Sequence, residues 1–469
     1  MGNESNDCQL PTYSTEIGVL LMKIVDLTAK QIINMIGTGR LSSVEVVQAF
    51  LARIEQLDSK FEAWVLVDPE RVLADAKETD KRRAQGGPPR ELEGLPVGFK
   101  DIFFTKGIPT TACSKVYKDL VPEYDAKSVQ LVKEAGGIML GKTVTTQFAW
   151  TDPSPTKNPW NPNHTPGGSS SGSAVAVATK MCPVALGSQT VGSVLRPAAY
   201  CGVVGFKPTY QRVSRYGLIP FSPSSDTVGW MSRSVEDISL LWDVLCESKT
   251  KDREAVNIGI NDDSINLGSV LPIRIGWMSE FFLDESDSET QDHFHRTLQE
   301  LVAGGAILEK VELPTSFRNL ARDQKIITEV EGARFHREMF ERDPSLYSPL
   351  LAATIESGLK TGESDYCDSL ERQIEFKDDM EKLATTVDIL LTPSTPSPAP
   401  SDLSTTGNGM FQGPWSASGL PTITLPTGLS SMSLPLGVQL IGQAFGDRGL
   451  LERARWCETL LGIDFSPSA

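Results

Sequence analysis

Apolar and polar positions along this chain switch repeatedly between helical and strand periods. After a stretch to about residue 22 with no clear pattern, which reads as a tail or a surface arm, Thr28 stands where a helix N-cap belongs, ahead of a helix running to about Gly37. Ser42-Ser43-Val44-Glu45 offers a capping box, since the cap hydroxyl takes an orphan N–H while Glu45 reaches back, and the amphipathic run behind it predicts a helix through Leu57. The AWVLV run at 63–67 reads as a strand, and Pro69, whose missing N–H costs nothing in a first turn, opens a charged helix to about Ala84. Further strands are predicted within PVGFKDIFFTKG from Pro96, at 137–140, 273–278 and 306–313. Helices are predicted at 128–135, 173–180, from about Val235, over most of 328–385 and at 448–461, with a polar surface loop at 250–272. This alternation, with no internal repeat, predicts an α/β chain built on a mixed, mostly parallel β-sheet between layers of helices.

Composition narrows the class. At 469 residues the chain exceeds the ~250–300 at which one core stops growing, so size alone predicts two or three domains. No apolar run approaches the ~18 residues that span a membrane, and a soluble protein is expected. A net charge of −16 argues against nucleic acid and anionic membranes as partners, because phosphate binding needs clustered Lys and Arg. Seven scattered cysteines, with no C-x-x-C pair and no secretory segment, fit a reduced cytoplasmic setting. The four histidines form no grouping of zinc spacing, so neither metal nor cofactor is expected. His293 and His295, two apart in a charged helical stretch, read as a solvated face.

The chemistry concentrates at 165–207. Gly167 and Gly168 permit a tight turn, Ser169, Ser170 and Ser171 follow, and the small-residue helix behind them points its free N–H groups back at the serines. A second tight turn at 188–193 presents Ser193. Hydroxyls held by two turns and ringed by N–H groups are the parts of an acyl-transfer site, a nucleophile with an oxyanion hole. Two further patterns compete. GGIMLGKT at 136–143 matches a phosphate-binding loop in Gly136, Gly141, Lys142 and Thr143, but its middle is strand-like and no helix follows. GSSSG at 168–172 matches a nucleophile elbow on Ser170, with His336 the least implausible base, yet a loop precedes it where the elbow needs a strand. Lys100, between Phe99 and Asp101, reads by itself as a snorkelling surface lysine. Trp150 and Trp160 bracket a Pro/Asn-rich loop that reads as a pocket wall or a plain covering loop.

GGSSSGSA at 167–174, GSQTVGSVLRPAAYCGVVGFKPT at 187–209 and GLPVGFKDIF around Lys100 together resemble the amidase signature family, as do VDILLTPSTPSPAP at 387–400, LPTITLP and LGVQLIGQ. The resemblance overrides the size argument: it implies one large domain over 23–469, whose central sheet has about eleven strands between helical layers. It also implies a Ser-Ser-Lys triad, in which Lys100 is the base, Ser169 the bridge and Ser193 the nucleophile, at the family's spacing of 24 residues between the serines. Backbone N–H groups of Thr190, Val191, Gly192 and Ser193 would form the oxyanion hole, the Gly168-Ser169 peptide would be cis, and burial would lower the Lys100 pKa. The chain departs from the family pattern at Gln189, commonly Asp; at Val191, commonly Gly, where a side chain restricts the turn; at Arg196, displaced one place by Leu195; and at Gln211, often Gly.

The expected function is therefore a serine hydrolase of small amides, anilides or carbamates (urethanes), with side activity on esters, working as a monomer or homodimer in the cytoplasm. The main alternative is the glutaminase subunit of a tRNA-dependent amidotransferase, a role that needs partner subunits and tRNA, to which an acidic chain without a basic patch is not obviously suited. A His-dependent esterase is the lesser one. Variable helical regions such as 328–385 are expected to shape the substrate mouth.

Overall fold

The N-terminal caps form as the sequence dictates. Gln31 N donates to Thr28 Oγ1 while Thr28 N donates back to Gln31, opening the helix Ala29–Gly37, and Ser42 with Glu45 closes the same box on Ser43–Phe61, a turn longer than expected. Asp68 caps Pro69–Ala84. The computed structural model describes residues 23–246, 272–462 and 465–467. The tail expected to residue 22 and nearly all of the loop expected at 250–272 lie outside the described residues.

The described strands are β1 (Trp64–Val67), β2 (Pro96–Lys100), β3 (Ile138–Thr143), β4 (Val184–Gln189), β5 (Val204–Lys207), β6 (Thr227–Ser232), β7 (Arg274–Trp277), β8 (Ile307–Lys310), β9 (Ile389–Pro393), β10 (Thr422–Leu429) and β11 (Pro435–Ile441). They form one sheet of eleven strands in the order β1-β3-β2-β4-β6-β5-β10-β11-β9-β7-β8, flanked by helices in a single α/β domain. Strands β2, β3, β4, β6 and β9 are buried along their whole length while the edge strand β8 is largely open, which is why the inner strands read as apolar runs and not as alternation.

The sheet is mixed, but the expectation that parallel pairing dominates is corrected. Six of the ten neighbour pairs are antiparallel (β1/β3, β4/β6, β5/β6, β5/β10, β10/β11, β9/β11) and four parallel (β2/β3, β2/β4, β7/β8, β7/β9). The physical reason lies in the connections. The helix Leu195–Cys201 does return β5 in the same direction as β4, but β6 inserts between them and runs against both. A short turn then folds β10 directly onto β11 as a hairpin, a link open only to antiparallel strands. Among the described residues no helix is long and apolar enough to cross a membrane.

Candidate active site

Parallel pairing of β2 with β4 sets up the site. Val97 lies beside Val184 and Phe99 beside Leu186, so both strands end at the same edge, and Lys100 at the end of β2 meets Ser188 near the end of β4. Against that edge packs the helix Ser171–Ala178, buried on every side, with the serine turn at its N-terminus. Small residues make the approach possible: a Cβ on Gly172 would stand 2.3 Å from Ala63 O and 2.4 Å from Val144 N.

Lys100 is fully buried. Its Nζ donates to Ser169 Oγ at 2.7 Å and to Ser188 Oγ at 2.9 Å. Burial pulls its pKa down to about 7, against the opposing pull of Asp226 and of Cys113. The snorkelling reading of this lysine therefore fails. Ser169 is buried as well, and the peptide bond before it is cis.

Adjacent serines face different ways. Ser170 Oγ donates to Ser188 O at 3.3 Å, and Gly187 leaves it room, since a Cβ there would stand 2.7 Å from that hydroxyl. Ser170 N donates to Ser193 O at 3.2 Å, which ties the two turns together beside Ser169. Ser193 opens onto a cavity of about 600 Å³, whose wall also includes Thr190, Val191 and Gly192.

The turn carrying these residues is held from three sides. Thr190 Oγ1 donates to Asp226 Oδ1 at 2.6 Å, and the same carboxyl accepts from Phe221 N and Ser222 N; burial raises its pKa to about 6. Gln189 Oε1 accepts from Val194 N and Leu195 N at 2.9 and 3.0 Å, capping the helix Leu195–Cys201 with a neutral side chain where an acid is common. Ser416 Oγ accepts from Gln189 Nε2 and donates to Val191 O. Val191 is not among the residues of positive φ, so the turn does not demand glycine there and the restriction expected from its side chain does not arise. Gln211, by contrast, takes φ of 64°, the left-handed conformation that glycine adopts freely.

Other candidates fall away from this centre. Lys142 sits in β3, fully buried, 3.4 Å from Asp101 and donating to Thr110 Oγ1 at 2.8 Å, so Gly141, Lys142 and Thr143 of the phosphate-loop match are sheet core and Gly136 lies in the turn before it. His336 is buried among Phe148, Phe221, Phe335 and Tyr347, and burial lowers its pKa to about 4; Ser170, its presumed partner, bonds to β4 instead. His293, expected on a solvated face, is buried against Thr427, while His295 is exposed. Trp150 lines the cavity and Trp160 does not, its indole N–H donating to Cys201 O. The helix Leu320–Arg342 lends the cavity Leu320, Gln324, Lys325 and Thr328. Ser188 and Asp226 carry no signal of their own in the sequence, although each lies in a stretch that resembles the family.

The family model described as Amidase matches residues 45–451. One subunit of the glutamyl-tRNA(Gln) amidotransferase of Carboxydothermus hydrogenoformans is 36% identical over 470 residues, covering 92% of this chain and 97% of the relative. Its counterpart in Myxococcus xanthus is 35% identical with the same coverage. Among solved structures, a chain from a vestigial protein complex that reveals the evolutionary origins of an s-triazine catabolic enzyme superposes with a TM-score of 0.87 at 30% identity, covering 94% of this chain and all of that one. The native peptide amidase of Stenotrophomonas maltophilia has a TM-score of 0.81 at 26% identity, over 94% and 98% of the two chains.

Proposed function

This chain belongs to the amidase family and is an amide-hydrolysing enzyme, and we propose that it cleaves the C–N bond of a small substrate through an acyl-enzyme on Ser193, with Lys100 as base and Ser169 as bridge. The observation that supports this most is Lys100 Nζ at 2.7 Å from Ser169 Oγ in a buried setting that brings the lysine pKa to about 7. An ordinary lysine near 10.4 would be almost wholly protonated at neutral pH; this one offers a neutral amine. With one of its N–H bonds given to Ser188 Oγ, its lone pair is free to accept the Ser169 proton.

Ser169 then takes the proton of Ser193 as Ser193 Oγ attacks the carbonyl carbon. Backbone N–H groups at 190–193 meet the negative charge that develops on the carbonyl oxygen, each donor in such a hole being worth about 2.7–4 kcal/mol. The ammonium of Lys100 returns its proton through Ser169 to the leaving nitrogen, and the C–N bond breaks. Water, deprotonated by the same relay, then attacks the acyl-enzyme and restores Ser193. Anilides, carbamates and esters present the same carbonyl, so the chemistry extends to them.

The named relatives favour a second reading, in which this hydrolysis releases ammonia from glutamine as one subunit of an amidotransferase. Against it stands the wall of the cavity, which among the described residues carries no carboxylate to meet the α-ammonium of glutamine. Ammonia release from glutamine, by the chain alone and with proteins that co-purify, separates the two readings. For the mechanism itself, Lys100→Ala should lower kcat/KM by ~10²–10⁴, and Lys100→Arg should not restore it because arginine stays protonated. An active Lys100→Arg enzyme would overturn the lysine base.

A further inference from the structure

The chain carries a net charge of −16, yet every charged side chain described on the wall of the Ser193 cavity is a cation: Arg196, Arg318 and Lys325. Arg196 is the unusual one. Only 6% exposed, it follows Ser193 by three residues and is anchored where the helix Leu195–Cys201 begins, its backbone N–H donating to Gly192 O. Its Nη2 donates to Gly168 O at 2.8 Å and to Thr406 Oγ1 at 3.0 Å, while its Nε is buried without a hydrogen-bond partner. No acid forms an ion pair with it among the described residues.

A guanidinium buried this far is costly unless a counter-charge arrives, and the buried acids on the elements that bound the cavity are engaged elsewhere. Asp226 is held by Thr190 and two backbone N–H groups, and Asp323 by Arg372. Gly409 packs close against the guanidinium. A Cβ on Gly409, which also lines the cavity, would stand 2.7 Å from Arg196 Nη1. Exposed Arg318 and Lys325 add positive charge at the rim, where they can draw in an anion; Lys325 is only loosely paired with Glu329, at 3.8 Å.

We propose that the amide substrate carries a carboxylate and that Arg196 binds it, with Arg318 and Lys325 steering it into the cavity. The planar fork of a guanidinium matches a carboxylate better than any neutral group, and among the described residues the cavity wall offers no acid for a cationic substrate. The proposal rests on the reading that this cavity receives the scissile amide.

The test compares succinamate with butyramide, which places the carboxylate on the acyl side, and N-acetyl-β-alanine with N-propylacetamide, which places it on the amine side. In at least one pair, kcat/KM for the anion should exceed that for its neutral partner by about tenfold or more. Arg196→Met should collapse that ratio toward one, chiefly through KM, and Arg196→Lys should recover only part of it. Should Arg196→Met fail to fold, Arg196→Gln, which keeps an N–H donor but carries no charge, should collapse the ratio in the same way. Succinate binding to Ser193→Ala, measured by calorimetry, reads the carboxylate site without any chemistry. If succinate binds and Arg196→Met abolishes the binding while Ser193 resists acylation, the carboxylate site stands and the acyl-enzyme reading fails. Equal rates within both pairs, in an enzyme that is still acylated at Ser193, would overturn the proposal and leave the mechanism intact. So would the absence of both turnover and succinate binding.

Discussion

Asp226 lies outside the cavity wall, yet its charge helps fix the proton affinity of Lys100, because a buried carboxylate favours the ammonium form. Removing that charge in Asp226→Asn lowers the lysine pKa further. The ascending limb of kcat/KM against pH, expected near 7 for the native enzyme, should therefore move toward acid in the variant. An alkaline shift would assign the limb to another group. Asn has one acceptor oxygen, which can serve Thr190 or the N–H groups of Phe221 and Ser222 but not both, so some loss of rate should accompany the shift. Ser170, one peptide from the bridging serine, has a different job: its hydroxyl is spent on β4. Ser170→Ala should cost about 1 kcal/mol of stability, the usual net value of a hydrogen bond, and leave turnover within a fewfold. Loss of turnover in that variant would revive the elbow.

At the level of elements, the helix Leu195–Cys201 hangs on Gln189, whose side-chain oxygen takes two of its orphan N–H groups. Gln189→Ala leaves both buried and unpaired and should destabilise the fold by about 1–3 kcal/mol in urea unfolding, with kcat falling as the turn loosens. An unchanged midpoint would mean that the cap contributes nothing. Gly172→Ala should be worse, since its methyl would collide with the backbone of Ala63 and Val144, pinned at the ends of β1 and β3, and loss of soluble protein is the expected outcome. Most elements are legible in the sequence because their signals are local: the Thr28 and Ser42 caps, Pro69 in a first turn, the apolar run ending at Lys100. The preponderance of antiparallel pairs is not, because β6 enters between β4 and β5 from a distance that no local pattern encodes. Within the site, Lys100, Ser169 and the 190–193 turn are legible through their resemblance to the family. Ser188 and Asp226 are hidden, since a serine in a strand and an aspartate after a loop look ordinary until β2 pairs with β4 and β6 runs back along it.

Across the whole molecule, burying an amine for catalysis weakens the fold. Folded Lys100 is largely neutral above about pH 7, whereas the unfolded chain keeps it protonated to ~10.4. Between those values the unfolded state binds more protons, so the penalty is greatest at pH 7 and below and fades as pH rises toward ~10.4. Lys100→Met should thus be inactive but more stable, by about 1–4 kcal/mol at pH 7 and by less at pH 9, as read from urea midpoints. A gain that grew with pH would contradict the buried neutral amine. The central claim is narrower: one serine of the many in this centre carries the acyl group. Treating the native enzyme with a fluorophosphonate, digesting it and mapping the adduct by mass spectrometry tests this directly. The label should sit on Ser193, disappear in Ser193→Ala and weaken sharply in Lys100→Ala; a label on Ser170 or Ser169, or one that survives Ser193→Ala, would contradict the account.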